Sequence, residues 1–267
     1  MAVDTQHVPV SLTDRVALVT GSTSGIGRGI AQLFAALGAK VIVHGRDPDR
    51  ARDAAQALAD QGGQARSLSA DLVDDEACRT LIDEAAGAFG GLDILVNNAA
   101  DTSRGDVEDT PVQLWDRILA VNLRAPFVLL QRAIPHFRRT GGGSVVNIGS
   151  INAYIGEPKL CAYSVSKGGL MTLTKNAAAL LNRDRIRVNQ INAGWTLTEG
   201  EDRVKREQEG QPANWLAEAV KTRPFGRLLS PADIAYAAAY FASDASACVT
   251  GTVLDLEQYP VGAPPNW

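Results

Sequence analysis

The chain has 267 residues, 45% of them hydrophobic, with 26 basic and 30 acidic side chains and a net charge of −4. That length fits one large α/β domain with a substantial core, and the charge balance excludes a basic surface built for nucleic acid or anionic membrane. No uninterrupted apolar run approaches the roughly twenty residues needed to cross a bilayer, and the start, MAVDTQHVPVSLTDR, lacks the basic-then-apolar pattern of a secretion signal. Cys78, Cys161 and Cys248 are far apart and odd in number, with neither metal nor disulfide spacing. A reducing cytoplasm is the expected compartment. Cys161 reads as a small apolar filler.

In chain order, residues 1–14 read as a loose lead-in. Residues 15–20 (RVALVT) form a short apolar strand that runs into Gly21-Ser22-Thr23-Ser24-Gly25-Ile26-Gly27. Ile26, Ile30, Leu33, Phe34 and Leu37 then recur at helical spacing until Gly38. Strand 40–44, an alanine-rich helix 48–61 and strand 65–69 follow, with Asp71 just beyond. A helix over 74–89 leads to strand 94–96 and the tetrapeptide Asn97-Asn98-Ala99-Ala100. Residues 111–139 are helical in pattern but hold Pro126 and Pro135, which predict kinks or an early stop. Strand 144–148, a helix from about 163 to 181 and strand 186–191 come next. Residues 195–222 are charged and poor in β-branched residues, so a partly helical flap is expected there rather than core. Ser230 and Pro231 open a helix to 242, and 253–256 is the last strand. Strict alternation of doubly apolar strands with helices predicts one doubly wound domain over residues 1–267, a parallel sheet covered on both faces.

Strand, glycine-rich turn and helix in that order make an anion site, because the glycines let backbone approach a pyrophosphate that faces the helix N-terminus. The spacing here is Gly-x-x-x-Gly-x-Gly. At the end of the second strand an acid commonly holds the ribose 2′-hydroxyl of NAD, whereas an arginine can hold the 2′-phosphate of NADP. The chain offers His44-Gly45-Arg46-Asp47, which favours NADP through Arg46 while Asp47 leaves NAD open. Tyr163 and Lys167 stand four residues apart on one helix face, and the loop before them holds Ser150. A lysine ammonium beside a phenol is expected to lower its pKa from near 10 toward a useful range. With Ser150 donating to the same substrate oxygen, the trio suits proton transfer at an alcohol or carbonyl.

With TGSTSGIG, Asp71, NNAA, Asn122, Ser150 and YSVSK in that order, the chain resembles a classical short-chain dehydrogenase/reductase from about residue 12 to 256. The resemblance implies a seven-stranded parallel Rossmann sheet, hydride exchange with nicotinamide, no metal and a homotetramer. It assigns Gly21, Ser24, Gly25, Ile26 and Gly27 to the phosphate loop, with Asp71 and Leu72 beside adenine. Asn98 and Ala99 fall beside the adenosine ribose, and Thr196 and Thr198 at the nicotinamide carboxamide. Asn122 matches a helix-kinking asparagine of a proton relay, and Ser150 the substrate-orienting hydroxyl. Tyr163 matches the general acid/base, and Lys167 the residue that lowers its pKa and holds the nicotinamide ribose. Three features depart from the family pattern: Ala193-Gly194 for Pro-Gly, implying a less rigid turn; NNAA for NNAG; and the ending DLEQYPVGAPPNW, expected to pack on a neighbouring subunit or edge the active site. Asp101, Arg104, Asn152, Glu157, Trp195 and the flap are expected to face substrate. Their polarity points to a sugar, polyol or hydroxy acid, with a 3-oxoacyl thioester reductase as the alternative. An epimerase or dehydratase, or a catalytically silent dinucleotide sensor, would reuse the same cofactor site. Leu119, Leu123, Leu170 and Leu173 are candidates for subunit pairing.

Overall fold

The computed structural model describes residues 10–262. Seven strands form one parallel sheet: β1 (Val16–Val19), β2 (Lys40–Gly45), β3 (Gln64–Ser69), β4 (Ile94–Asn97), β5 (Gly143–Ser150), β6 (Ile186–Ala193) and β7 (Val253–Leu256), in the order β3-β2-β1-β4-β5-β6-β7. The helices are α1 (Gly25–Ala36), α2 (Pro48–Asp60), α3 (Asp75–Ala88), α4 (Val112–Leu119), α5 (Ala125–Thr140), α6 (Cys161–Leu181), α7 (Glu199–Arg203), α8 (Trp215–Lys221) and α9 (Pro231–Ala242). Successive strand side chains point to opposite faces, and the strands divide their apolar residues accordingly. Ala17, Val19, Val41, Val43 and Val96 meet α1, α2 and α9 on one face. Val16, Leu18, Ile42, Leu95 and Val145 meet α3, α5 and α6 on the other. The chain moves outward from β1 to β3, then restarts on the other side at β4. That reversal leaves a crevice at the carboxyl ends of β1 and β4, the place where such sheets bind ligands.

Two expectations need correction. Residues 10–14 are not loose throughout: Leu12 is buried in the core, and its N–H donates to the Leu37 carbonyl at 3.0 Å. Neither proline stops the long helix. Pro126 sits just after a wider π turn over Ala120–Arg124, and Pro135 lies inside α5, so the helix runs from Val112 to Thr140. Its most apolar 18 residues average a hydropathy of 1.2, long and apolar enough to cross a membrane. Half of that window is buried in this fold, where Val128, Leu129, Ala133 and Phe137 pack in the core, so it is built as a core helix.

Candidate active site

The glycine loop is shaped by close approach. Gly21 has φ +64°, and a Cβ there would lie 2.9 Å from the Ala99 Cα; a Cβ on Gly27 would lie 2.4 Å from both the Gly21 carbonyl oxygen and the Asn98 amide nitrogen. Asn98 braces this packing by donating its side-chain amide to the Thr20 and Gly21 carbonyls at 2.9 and 3.1 Å. Ser24 occupies the N-cap position of α1 without a side-chain cap bond, and no acid lies in the first turn. The unpaired N–H groups and positive end of α1 therefore face the loop, which fits a pyrophosphate. Ile26 is half-buried against the core beneath it.

At the adenosine end, Arg46 is exposed just beyond β2, and Asp47 is occupied as the N-cap of α2, accepting from Asp49 and Arg50 N–H groups. A Cβ on Gly45 would come 2.6 Å from the Thr23 methyl, so an acidic side chain there would have to displace Thr23. Asp71 is exposed and accepts the Val73 N–H at 3.1 Å. Leu72 is buried in the core, which leaves only its backbone for adenine, not its side chain. The sequence reading gave His44 no role. Its buried ring accepts the Gly21 N–H on Nδ1 at 3.1 Å and donates from Nε2 to the Ala70 carbonyl at 3.2 Å. Burial lowers its pKa to about 4, against a weaker opposing pull from the Ala70 carbonyl. A neutral imidazole thus ties the phosphate loop to the end of β3.

Ser150 ends β5, Tyr163 stands in the first turn of α6, and Lys167 follows one turn later. The Lys167 ammonium donates to the Ile148 carbonyl at 2.8 Å and lies 5.5 Å from the centre of the Tyr163 ring. It lies over the ring, and the expected depression of the phenol is not what the protein's own groups produce. Desolvation raises the Tyr163 pKa, while the Ser150 hydroxyl and the Arg104 guanidinium act to lower it and Glu201 to raise it. Burial pushes Lys167 down to about 8. Asn122 is buried in the π turn; its side chain accepts the Asp101 N–H at 2.7 Å and donates to the Asp101 carbonyl and to Ser166 Oγ. The amide is fully engaged in joining α4–α5 to α6. The α-helical donor for the Asn122 carbonyl would be residue 126, a proline with no N–H.

The flap is α7 and α8 with a small core of its own: Trp215, Ala219 and Leu228 are buried, with Trp195, Leu197 and Leu216 against them. Trp195 and Trp215 stack with ring centres 6.1 Å apart. Thr196 is buried and donates to the Gly194 carbonyl, and Thr198 caps α7 with its methyl against Gly25. Arg28 of α1 pairs with Glu199, tying the flap to the phosphate loop. In the flap, Glu209 accepts from Arg104 at 3.3 Å and from Lys205 at 2.6 Å, while Glu201 accepts from the Trp195 indole at 2.8 Å. Asp101 is not free to meet substrate, since Ser103 and Arg117 hold its carboxylate; Asn152 donates its N–H to Ser150 Oγ, and Glu157 is exposed. The Ala193-Gly194 turn is braced rather than loosened. Gly194 N–H reaches the Leu256 carbonyl, and Glu257 accepts the Trp195 N–H where a Gly194 Cβ would stand. The described part of the ending packs against its own chain: Gln258 joins Phe225 to Arg227, and Tyr259 donates to the Thr222 carbonyl at 2.6 Å. Residues 263–267 of that ending lie outside the described residues.

Residues 21–257 match a family model described as enoyl-(acyl carrier protein) reductase. The chain is 37% identical over 247 residues to a Rhizobium meliloti protein named probable galactose dehydrogenase, covering 92% of this chain and 94% of that one. It is 34% identical to cis-4-hydroxycyclohexanecarboxylate dehydrogenase of Sinomonas cyclohexanicum, covering 92% and 96% of the two chains. A 7α-hydroxysteroid dehydrogenase solved with NADH and 7-oxo glycochenodeoxycholic acid superposes with a TM-score of 0.87, at 30% identity over 96% of this chain and 97% of that one. The chain belongs to the classical short-chain dehydrogenase/reductase family, as an NAD(P)-dependent oxidoreductase of CH–OH groups.

Proposed function

We propose that the protein exchanges hydride between NADP and a secondary alcohol or carbonyl of a small polar molecule, a sugar, polyol or hydroxy acid. The observation that carries this reading is the meeting of Ser150, Tyr163 and Lys167 at the end of β5, beside the glycine loop and under a polar flap. When bound, the nicotinamide supplies the hydride acceptor or donor. Tyr163 passes the proton at the substrate oxygen, and Ser150 donates to that oxygen. Lys167 holds the ribose and, its pKa lowered to about 8 by burial, passes the Tyr163 proton on toward solvent through a water that the Asn122 carbonyl would hold. Exposed Arg46, a Gly45 without an acidic side chain and an Asp47 already used as a cap all favour the 2′-phosphate of NADP. The names of the galactose and hydroxycyclohexanecarboxylate relatives support a polar, hydroxylated substrate.

We further propose a homotetramer: half-buried Leu119, Leu123 and Leu173 line an open groove of about 520 Å³ beside exposed Phe127. Leu170, by contrast, is buried within the chain and leaves that set. Three free cysteines fit a cytoplasmic setting. A family model described by an acyl carrier substrate keeps the 3-oxoacyl thioester reading as the second one. The test is a screen at about 340 nm, the reduced nicotinamide band, with NAD and NADP against sugars, polyols, hydroxy acids and β-keto esters. On the best substrate, Tyr163→Phe is expected to lower kcat about 10²- to 10⁴-fold. Activity kept within a few-fold would remove the mechanism.

A further inference from the structure

Arg104 is held beside the catalytic helix by backbone. Its neighbour Gly105 donates to the Lys159 carbonyl at 2.9 Å and accepts the Cys161 N–H at 3.1 Å, and Tyr163 is two residues further on. The Arg104 side chain is about three-quarters shielded, yet it makes only two long contacts: Nη1 to the Thr102 carbonyl at 3.5 Å and Nη2 to Glu209 at 3.3 Å. A guanidinium has five N–H groups in a planar fork that matches a carboxylate edge to edge. Here that fork is used singly, while Glu209 makes its shorter bond, 2.6 Å, to Lys205. The Arg104 field already reaches the Tyr163 phenol.

We infer that the substrate carries a carboxylate, and that Arg104 binds it through the part of its fork that Glu209 leaves open, which sets the distance between the carboxylate and the reacting carbon. This rests on the oxidoreductase reading only for the identity of that carbon; the carboxylate site is defined by Arg104 itself. The geometry favours a monoanion, because Glu209 pairs with the guanidinium and Glu201 lies 3.9 Å from the Lys205 that Glu209 also holds, and the two carboxylates repel a phosphate dianion more strongly. Lys205 and Glu209 are both carried by the flap, so carboxylate binding and flap position are coupled through Arg104.

The test pairs each short hydroxy acid with its primary amide, which keeps size and removes charge. The wild type is expected to favour acids in kcat/KM by about 10- to 100-fold, the range of a charge-assisted hydrogen bond. That ratio should collapse in Arg104→Met and return in part in Arg104→Lys, which restores charge without the fork. An unchanged ratio in Arg104→Met overturns the inference, as does a wild type indifferent to charge. A second arm needs no turnover: tryptophan fluorescence is titrated with butyrate, butyramide and propyl phosphate. Butyrate should bind the wild type and bind Arg104→Met at least about tenfold more weakly. No butyrate binding, or tighter binding of propyl phosphate, sinks the carboxylate assignment. The oxidoreductase reading fails separately, on Tyr163→Phe.

Discussion

The nucleotide half and the substrate half of this site are built by different means. From β1 to β4, backbone does the shaping: Gly21 and Gly27 leave no room for a Cβ, Asn98 clamps two carbonyls, and His44 receives an amide. Around the flap, side chains do it, through Trp195 on Trp215, Arg104 to Glu209 and Lys205 to Glu209. A site shaped by backbone is rigid and tolerates few substitutions. One joined by partly exposed ion pairs holds each contact weakly and can change partners with its ligand. The contrast gives one half a fixed ligand and the other a variable one.

The sharpest probe of the backbone-built half is acid. His44 has a native pKa of about 4 against 6.5 when unfolded, so only the unfolded chain takes up a proton as pH falls from 6.5. Stability should therefore drop across the window from about pH 6.5 to 4, by about 1.4 kcal/mol per pH unit and about 3 kcal/mol in all. In His44→Asn, whose side-chain oxygen can still accept from Gly21, urea midpoints measured over that window should lose this part of the slope. An identical slope in the variant would show that His44 does not report on the loop.

A smaller effect is expected from Gly27→Ala. The added Cβ must push on the Gly21 carbonyl and the Asn98 amide, an overpacking worth about 1–3 kcal/mol. Cofactor Kd by calorimetry should rise about 10- to 100-fold, with the carboxylate titration of Arg104 less affected. Equal losses in both would mean the two halves are not independently built.

How much of this was legible in the sequence follows the same divide. The β1–loop–α1 unit and the alternating strands are set by local rules, and they appear where glycine spacing and apolar runs put them. The positions of Ser150, Tyr163 and Lys167 follow from spacing along a single strand and helix, but the phenol's pKa direction does not. It depends on how deeply the ring is buried and on Arg104 and Glu201, which come from distant parts of the chain. His44 was silent because its partners, Gly21 and Ala70, meet only when three strand ends converge. Arg104 and Glu209 are 105 residues apart, and no periodicity joins them. The polar composition of the flap also hid its core, since two tryptophans and four aliphatic side chains among many charges give no helical stripe strong enough to read.

The least effect is expected where the substrate half is fastened at its rim. Glu257 accepts the Trp195 N–H at 3.2 Å, and Gln258 and Tyr259 hold the other end of the flap at Phe225, Arg227 and Thr222. Glu257→Ala removes one half-exposed hydrogen bond, worth about 1 kcal/mol, and leaves Gln258 and Tyr259 in place. Because Trp195 also carries the Glu201 contact and faces Lys205, the slack should reach the wall of the substrate site before it reaches the glycine loop. The expected result is a roughly fivefold fall in kcat/KM for substrate, with a smaller change in cofactor Kd. A cofactor effect exceeding the substrate effect would place Glu257 with the nucleotide half, and the division drawn between backbone-built and side-chain-built regions would have to move past β7.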